Sequence, residues 1–301
     1  MRQARKRHYG PHHSSWLPYL LIAPSALCVL LILVYPLIKG ILSGFVDQQL
    51  LVPNSTVFVG LKHYARLGRD EIFLSALRNN FIWVFAVVTT EFVIGLITAM
   101  LLNQDFPGRA IYRSLILIPW VVPSVAAALT WKWIYADQFG IFNYILRRIG
   151  LIDHDLSWLG NPALAFPSII VAAIWKGIPF VTVVLLAGLQ SIPKDLYEAA
   201  YIDGASGWQG FCHVTLPHLK AVGLIAFLLS CIWTFNVFDL AFIMTRGGPA
   251  NATQLLSIYT YLTAFNFFNF NYAAAIAGII FLILVIGTFF YVKALRMGET
   301  N

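Results

Sequence analysis

The chain has 301 residues, 59% hydrophobic and 11% charged, with a formal net charge of +7. Soluble globular domains carry about 25% charged residues, so the composition excludes an ordinary water-soluble fold. Its Lys and Arg are spread thinly instead of forming a basic face, which argues against a nucleic-acid partner.

The chain opens on a basic cluster, Arg2, Arg5, Lys6 and Arg7, and Leu17 to Ile38 then runs 22 residues without a charge. A helix of about 20 residues crosses roughly 30 Å of hydrocarbon. The first span is therefore predicted at 17–42, with the basic cluster as its cytoplasmic anchor. A cleaved signal peptide shares the basic-then-apolar order. The apolar run is too long for one, and Leu27 precedes Cys28 where lipoprotein cleavage needs a small residue. Five more spans are predicted at 79–102, 114–134, 164–189, 220–243 and 273–292.

With the N-terminus inside, the internal segments 1–15, 103–113, 191–220 and 293–301 hold ten Lys or Arg, against seven in the longer external segments. That bias follows the positive-inside rule and places both termini in the cytoplasm, in a cell or inner membrane. Trp131, Trp133 and Tyr135 are expected at the outer interface, and Trp120, deeper, in packing. Pro24, Pro36, Pro119, Pro123 and Pro179 lie in or near spans, where they bend helices whose neighbours take up the freed carbonyls. Cys28, Cys212 and Cys231 lack metal-ligand spacing and are expected as free thiols.

From Asn251 to Val292 another 42 residues carry no charge. Asn266, Asn269 and Asn271, with phenylalanines between them, suit an external or interfacial segment. A short non-spanning helix at about 252–265 is expected before the last span; a seventh span is the alternative, and it would put the C-terminus outside.

The most informative stretch lies between spans four and five. Pro193 suits a helix start, with Asp195 and Glu198 near that N-terminus, where negative charge is favourable. Asp203-Gly204 marks a turn, Ser206 caps a second short helix, and Pro217 marks its end. Two short helices meeting at a glycine bend suit docking into a groove of another protein; an amphipathic loop resting on lipid is the alternative. Glu198-Ala199-Ala200, Gly204 and Val214-x-Leu216-Pro217 resemble the EAA loop of the inner-membrane permeases of ATP-binding-cassette importers, at the family's full spacing, with Val214 in place of Ile. Cys212-His213 stands where many members have a bulky residue and Arg. The resemblance extends over about 75–301, through Gly108-Arg109, Ile118-Pro119-Trp120, Trp175-Lys176 and Thr245-Arg246-Gly247-Gly248-Pro249, and points to the carbohydrate-uptake type.

The resemblance implies an all-α integral membrane protein with six transmembrane helices in the type I importer permease fold. It divides the chain into 1–74 (N-terminal tail, first span and external loop), 75–292 (permease domain) and 293–301 (short cytoplasmic tail). Glu198, Ala199, Ala200, Asp203, Gly204, Leu216 and Pro217 would form the coupling loop to an ATPase. The implied partners are a second homologous permease, two copies of a cytoplasmic ATPase subunit, an extracytoplasmic solute-binding protein and membrane lipid. ATP and Mg would be used by the ATPase subunits, and no cofactor is expected on this chain. No lysine here is followed by Ser or Thr, so the chain has no phosphate-binding loop and is not expected to be an enzyme.

Glu91 and Lys176 fall near the midpoints of spans two and four. Charges at that depth face the bundle interior or a wet cavity, and a pairing of the two is one hypothesis. Asn236 and Asp239 lie three apart on one predicted face of span five, with Trp233 available for stacking. These five are candidates for the solute path or gate; helix packing through buried polar groups is the competing role. His63, His154 and His213 form no metal set. A non-sugar solute such as a phosphodiester or polyamine, or an ion-coupled carrier, are the rival functions; the second gives no reason for the EAA spacing.

Overall fold

The structure, a computed structural model, describes residues 16–48 and 55–299. The basic cluster of Arg2, Arg5, Lys6 and Arg7 lies outside the described residues. The first span comprises α1 (Leu17–Val29), a π-turn (Leu30–Val34) and α2 (Tyr35–Ser43). A two-residue antiparallel ribbon, β1 (Val46–Asp47) with β2 (Val57–Phe58), leads to α3 (Lys62–Leu67) and the long α4 (Glu71–Asn103). Then come α5 (Arg109–Ile116), α6 (Ile118–Val121), α7 (Ser124–Ile134), α8 (Ile141–Arg148) and α9 (Pro162–Gln190). The connecting loop holds α10 (Lys194–Ile202) and α11 (Gly207–Gly210), which a π-turn (Phe211–Thr215) joins to α12 (Leu216–Phe235). After α13 (Asp239–Thr245), α14 (Leu256–Tyr261) and a π-turn (Leu262–Asn266), α15 (Phe270–Glu299) closes the described chain.

Among the described residues, five helices are long and apolar enough to cross a membrane, or six with a bent pair counted as one span. The span predicted at 114–134 is that pair: Arg109–Val121 and Ser124–Ile134 meet at 94°, beside Pro123, one of the prolines expected to bend a span. Pro123 lacks an N–H and disfavours helix at Val122, whose ψ of 128° is extended.

Helices α4 and α9 form the centre of the bundle, and small residues let them approach. A Cβ on Gly95 would fall 2.8 Å from Val181 Cγ1, and Ala99 and Ala172 are fully buried. One apolar cluster, including Ala99, Leu102, Leu189, Val214 and Leu219, sits at the end carrying the 191–215 loop. Another, with Phe73, Phe235, Leu256 and Tyr272, closes the opposite end. None of the described residues of Pro18–Ser43 is buried, so the first span presents its apolar surface outward.

Span five is not continuous. Residues 236–238 leave the helical path between α12 and α13, with Phe238 at φ −129°. The break frees carbonyls in an apolar setting, where each unmet group costs several kcal/mol. Neighbouring side chains take them up. Trp83 Nε1 donates to Thr234 O at 3.1 Å, Asn80 Nδ2 to Phe235 O at 3.2 Å and Ser257 Oγ to Val237 O at 2.5 Å. Fully buried Asn80 also accepts from the Leu256 N–H at 3.2 Å and so ties α4, span five and α14 together.

The short helix expected at 252–265 exists, shifted to α14 and its π-turn at 256–266, and it is too short to span. The helix itself packs into the bundle, with Leu255, Leu256, Ile258 and Tyr259 buried, whereas Phe265, Asn266, Phe267 and Phe268 after it are exposed. Trp131 and Tyr135 likewise belong to the core, with Tyr135 2% exposed, and only Trp133 of that trio faces outward. His63 is buried and reaches Val46 O through Nε2 at 3.1 Å.

Asp70 organises the end away from the 191–215 loop. Its Oδ1 caps α4 by accepting from the N–H groups of Ile72 and Phe73, and its Oδ2 accepts from the Tyr259 and Tyr272 hydroxyls at 2.5 and 2.6 Å. Burial pushes this carboxyl up, but the two tyrosine bonds and two backbone bonds together hold it below the usual range. A depressed folded value contributes stability above the unfolded value that is lost as pH falls through the folded one. Asp70→Asn should therefore lower the melting temperature in detergent at pH 7, and the gap to the parent should narrow as pH drops beneath the ordinary Asp value of 3.8. Asn80→Ala should destabilise by about 1–3 kcal/mol, because it strands the Phe235 carbonyl and the Leu256 N–H, whereas Asn79→Ala removes only bonds to Ala252 O and Gln254 O at the bundle's edge and should cost less.

Candidate functional site

Residues at or beside the two helix breaks, at 122–123 and 236–238, line one open cavity of about 320 Å³ together with α4 and α9. Glu91, Lys176, Trp233, Asn236 and Asp239, all singled out in the sequence, line it together. The reasoning that joined Asn236 and Asp239 needs correction: the break lies between them, so no shared helical face brings them together. Asn236 Nδ2 donates back to Ile232 O at 2.8 Å, leaving its amide oxygen for the cavity, while Asp239 opens α13, where a carboxylate is favoured.

The charges are not arranged as a pair of Glu91 with Lys176. Among the described residues no ion pair joins the two. Lys176 Nζ donates to Val122 O at 2.7 Å, so the lysine satisfies the carbonyl exposed by the 94° bend, and it interacts electrostatically with Asp239. Glu91 is 5% exposed and packs against the bare backbone of Gly177, where an added Cβ would fall 1.7 Å from Glu91 Oε1. Gly177 thus supplies the room that the carboxyl occupies.

Sequence reasoning missed Trp120. Expected in packing, it is 52% exposed on the cavity wall, and Phe180 bridges it to Trp233 at ring separations of 6.4 and 4.9 Å. The signal was Pro119-Trp120 just before Pro123, a poor setting for a continuous helix. Pro179-Phe180 belongs to the stretch that carries the permease resemblance, without pointing to a cavity, and Phe238 gave no signal beyond apolarity.

The 191–215 loop forms the expected elbow. α10 ends in a Schellman motif: Gly204 N–H donates to Tyr201 O at 3.0 Å and Ala205 N–H to Ala200 O at 2.9 Å, with Gly204 at φ +82°. An L side chain is strained in that left-handed conformation, so glycine is favoured there. Ser206 and Gln209 form a reciprocal capping box at the start of α11. Pro217 does not end this second helix, as expected from sequence, but lies at the start of α12. The missing N–H is absorbed by the preceding π-turn, in which the Leu216 N–H bonds to Phe211 O. Tyr197 and Ala200 pack on the loop-end cluster, and the Tyr197 hydroxyl meets that of Thr215 at 2.9 Å. Glu198, Ala199, Asp203 and Gly204 are exposed, Leu216 and Pro217 too, and Ala200 is half-buried. Tyr201, Ile202 and Trp208 stand 81%, 83% and 72% exposed around the bend, an apolar tip that nothing in the chain covers among the described residues.

The family model for the binding-protein-dependent transport system inner membrane component matches residues 91–296. The trehalose/maltose transport system permease protein MalF of Thermococcus litoralis is 38% identical over 283 residues, 93% of this chain and 94% of the relative. The sulfoquinovosyl glycerol transport system permease protein SmoG of Agrobacterium fabrum is 32% identical, covering 94% and 91%. The diacetylchitobiose uptake system permease protein DasB of Streptomyces coelicolor is also 32% identical, covering 94% and 88%. A chain from a bacterial ABC transporter involved in the import of the acidic polysaccharide alginate has the same fold, with a TM-score of 0.81 at 23% identity, over 94% of this chain and 96% of that one.

Because Lys176 answers a backbone carbonyl and not Glu91, exchanging the charges should not restore either single reversal. Glu91→Lys combined with Lys176→Glu is expected to melt no higher in detergent than the worse single variant, and recovery by the double variant would restore the paired arrangement.

Proposed function

The chain belongs to the family of binding-protein-dependent transport system inner membrane components, and from that premise we propose that it forms half of the translocation path of an ATP-driven sugar importer. It is a multi-pass permease subunit, and ATP is hydrolysed on separate ATPase subunits of the importer. The reading assigns 191–215 to the cytoplasm together with both termini, and gives Glu198, Ala199, Ala200, Asp203, Gly204, Leu216 and Pro217 to the contact with an ATPase subunit. A second, homologous permease completes the path, two ATPase subunits drive it, and an extracytoplasmic binding protein delivers solute.

One observation carries the coupling role: the Gly204 elbow holds Tyr201, Ile202 and Trp208 away from the bundle while Tyr197 and Ala200 root it in the core. A rooted apolar tip transmits force, whereas a loop resting on lipid needs no such root. The sugar class is supported by the relatives named for trehalose/maltose, sulfoquinovosyl glycerol and diacetylchitobiose transport. The cavity chemistry agrees, since Glu91, Lys176, Asn236 and Asp239 offer hydrogen-bonding groups beside the Trp233 ring.

Co-purification through a tag on this chain tests the coupling role. Gly204→Val places a β-branched residue at φ +82°, at a local cost of about 1–2 kcal/mol. The ATPase is expected to be lost from the variant complex while the second permease stays bound. Retention of the ATPase with unchanged transport would place the contact elsewhere.

A further inference from the structure

We propose that the central cavity admits a polyhydroxylated solute without an acidic group and turns away acidic sugars. This rests on the sugar-importer reading and concerns the charge of the solute, which that reading leaves open. Among the described residues of this chain, Lys176 is the only cation on the cavity wall. Its ammonium is committed to the Val122 carbonyl at 2.7 Å and is offset by Asp239. From this chain an incoming carboxylate, sulfonate or phosphate therefore meets one cation, already shared between a backbone carbonyl and a carboxylate.

The opposite charge is present in excess. Asp239 is exposed to the cavity, and Glu91, 5% exposed, has no hydrogen bond or ion pair among the described residues. With both carboxyls ionised the wall is net negative; with Glu91 protonated, Asp239 and Lys176 cancel. Neither state favours an anion, and desolvating one without a counter-charge is costly.

The remaining wall suits neutral hydroxyls and C–H faces. Trp120 and Trp233, 52% and 54% exposed, present rings to the cavity on either side of Phe180, and no hydrogen bond engages their indole N–H groups among the described residues. The apolar face of a sugar ring packs on such rings while the indole N–H groups donate to hydroxyl oxygens. Glu91, Asp239 and the Asn236 amide oxygen are the matching acceptors.

Ligand-induced stabilisation of the purified membrane complex, without its binding protein, reads the cavity directly. The probes are maltose, trehalose and diacetylchitobiose against glucuronic-acid-containing disaccharides of the same size. Neutral probes should raise the melting temperature with an affinity about tenfold or more above that of the acids, the scale of one charge repulsion at a partly wetted site. Asp239→Asn, near-isosteric and exposed, should narrow that ratio, as should Glu91→Gln. Equal stabilisation by acidic and neutral probes, or a ratio that neither variant moves, would overturn the charge selectivity alone. If no probe of either kind stabilises the complex, the sugar reading falls and the inference with it.

Discussion

A helix that breaks inside an apolar bundle takes the regular backbone partners away from its carbonyl groups, and this structure is organised around answering them. The Val122 carbonyl is taken by Lys176, 54 residues along the chain; those of Thr234 and Phe235 by Trp83 and Asn80; that of Val237 by Ser257. Each left unmet would cost several kcal/mol, comparable to a large share of a protein's net stability. The same residues therefore permit the breaks and fix where the chain turns. Because the two breaks face one space, satisfying the backbone also creates the cavity. Trp120 and Ser124 flank one break and Trp233, Asn236 and Asp239 the other, all on its wall.

That arrangement gives Lys176 a structural duty that limits what it can do for a solute. A lysine whose ammonium replaces a lost helical N–H has fewer donors to offer, and those remain under the influence of Asp239. Glu91 is placed differently: the missing side chain of Gly177 makes its room, and no protein group answers its charge among the described residues. Two charged side chains on one cavity wall thus do opposite things. One completes the fold, and the other is left facing the cavity.

The spans were legible because they are long runs without charge, and the elbow because its chemistry is local. Pro193, Ser206 with Gln209, and Gly204 each specify their own geometry within a few residues, so cap, turn and Schellman motif follow from the sequence. The breaks were less legible because their causes are distant. Pro123 signals a bend, but a 94° turn depends on Lys176 being present to take the Val122 carbonyl. The break at 236–238 contains neither Pro nor Gly and is held by Trp83, Asn80 and Ser257, whose roles appear only once α4 and α14 pack against it. The wall residue Trp120 was missed for the same reason, since the side it faces depends on how sharply the chain turns at Val122 and Pro123. Pro217 misled in the opposite direction: read as a stop, it is accommodated by one π-turn.

Span five joins the two ends of the molecule in a single element. From the elbow it runs through α11, the π-turn and α12 to the break at 236–238, so the exposed tip at Trp208 and the cavity residues Trp233 and Asn236 belong to one nearly continuous rod. Buried Leu219 and Val214 seat its lower end on α9 and the loop, and Phe235 seats its upper end on the far cluster. A rod held by packing at both ends transmits rotation and translation better than bending, and its two irregular points lie where such motion has to be converted. The π-turn stands between the elbow and the membrane helix, and the break between that helix and α13. In the proposed coupling role, a displacement of Tyr201 and Ile202 by an ATPase is delivered through this rod to the wall carrying Asn236 and Asp239. The rod's upper end is tied to the central helix, since Trp83 and Asn80 of α4 hold the Thr234 and Phe235 carbonyls at the close of α12, while Ser257 holds that of Val237 within the break.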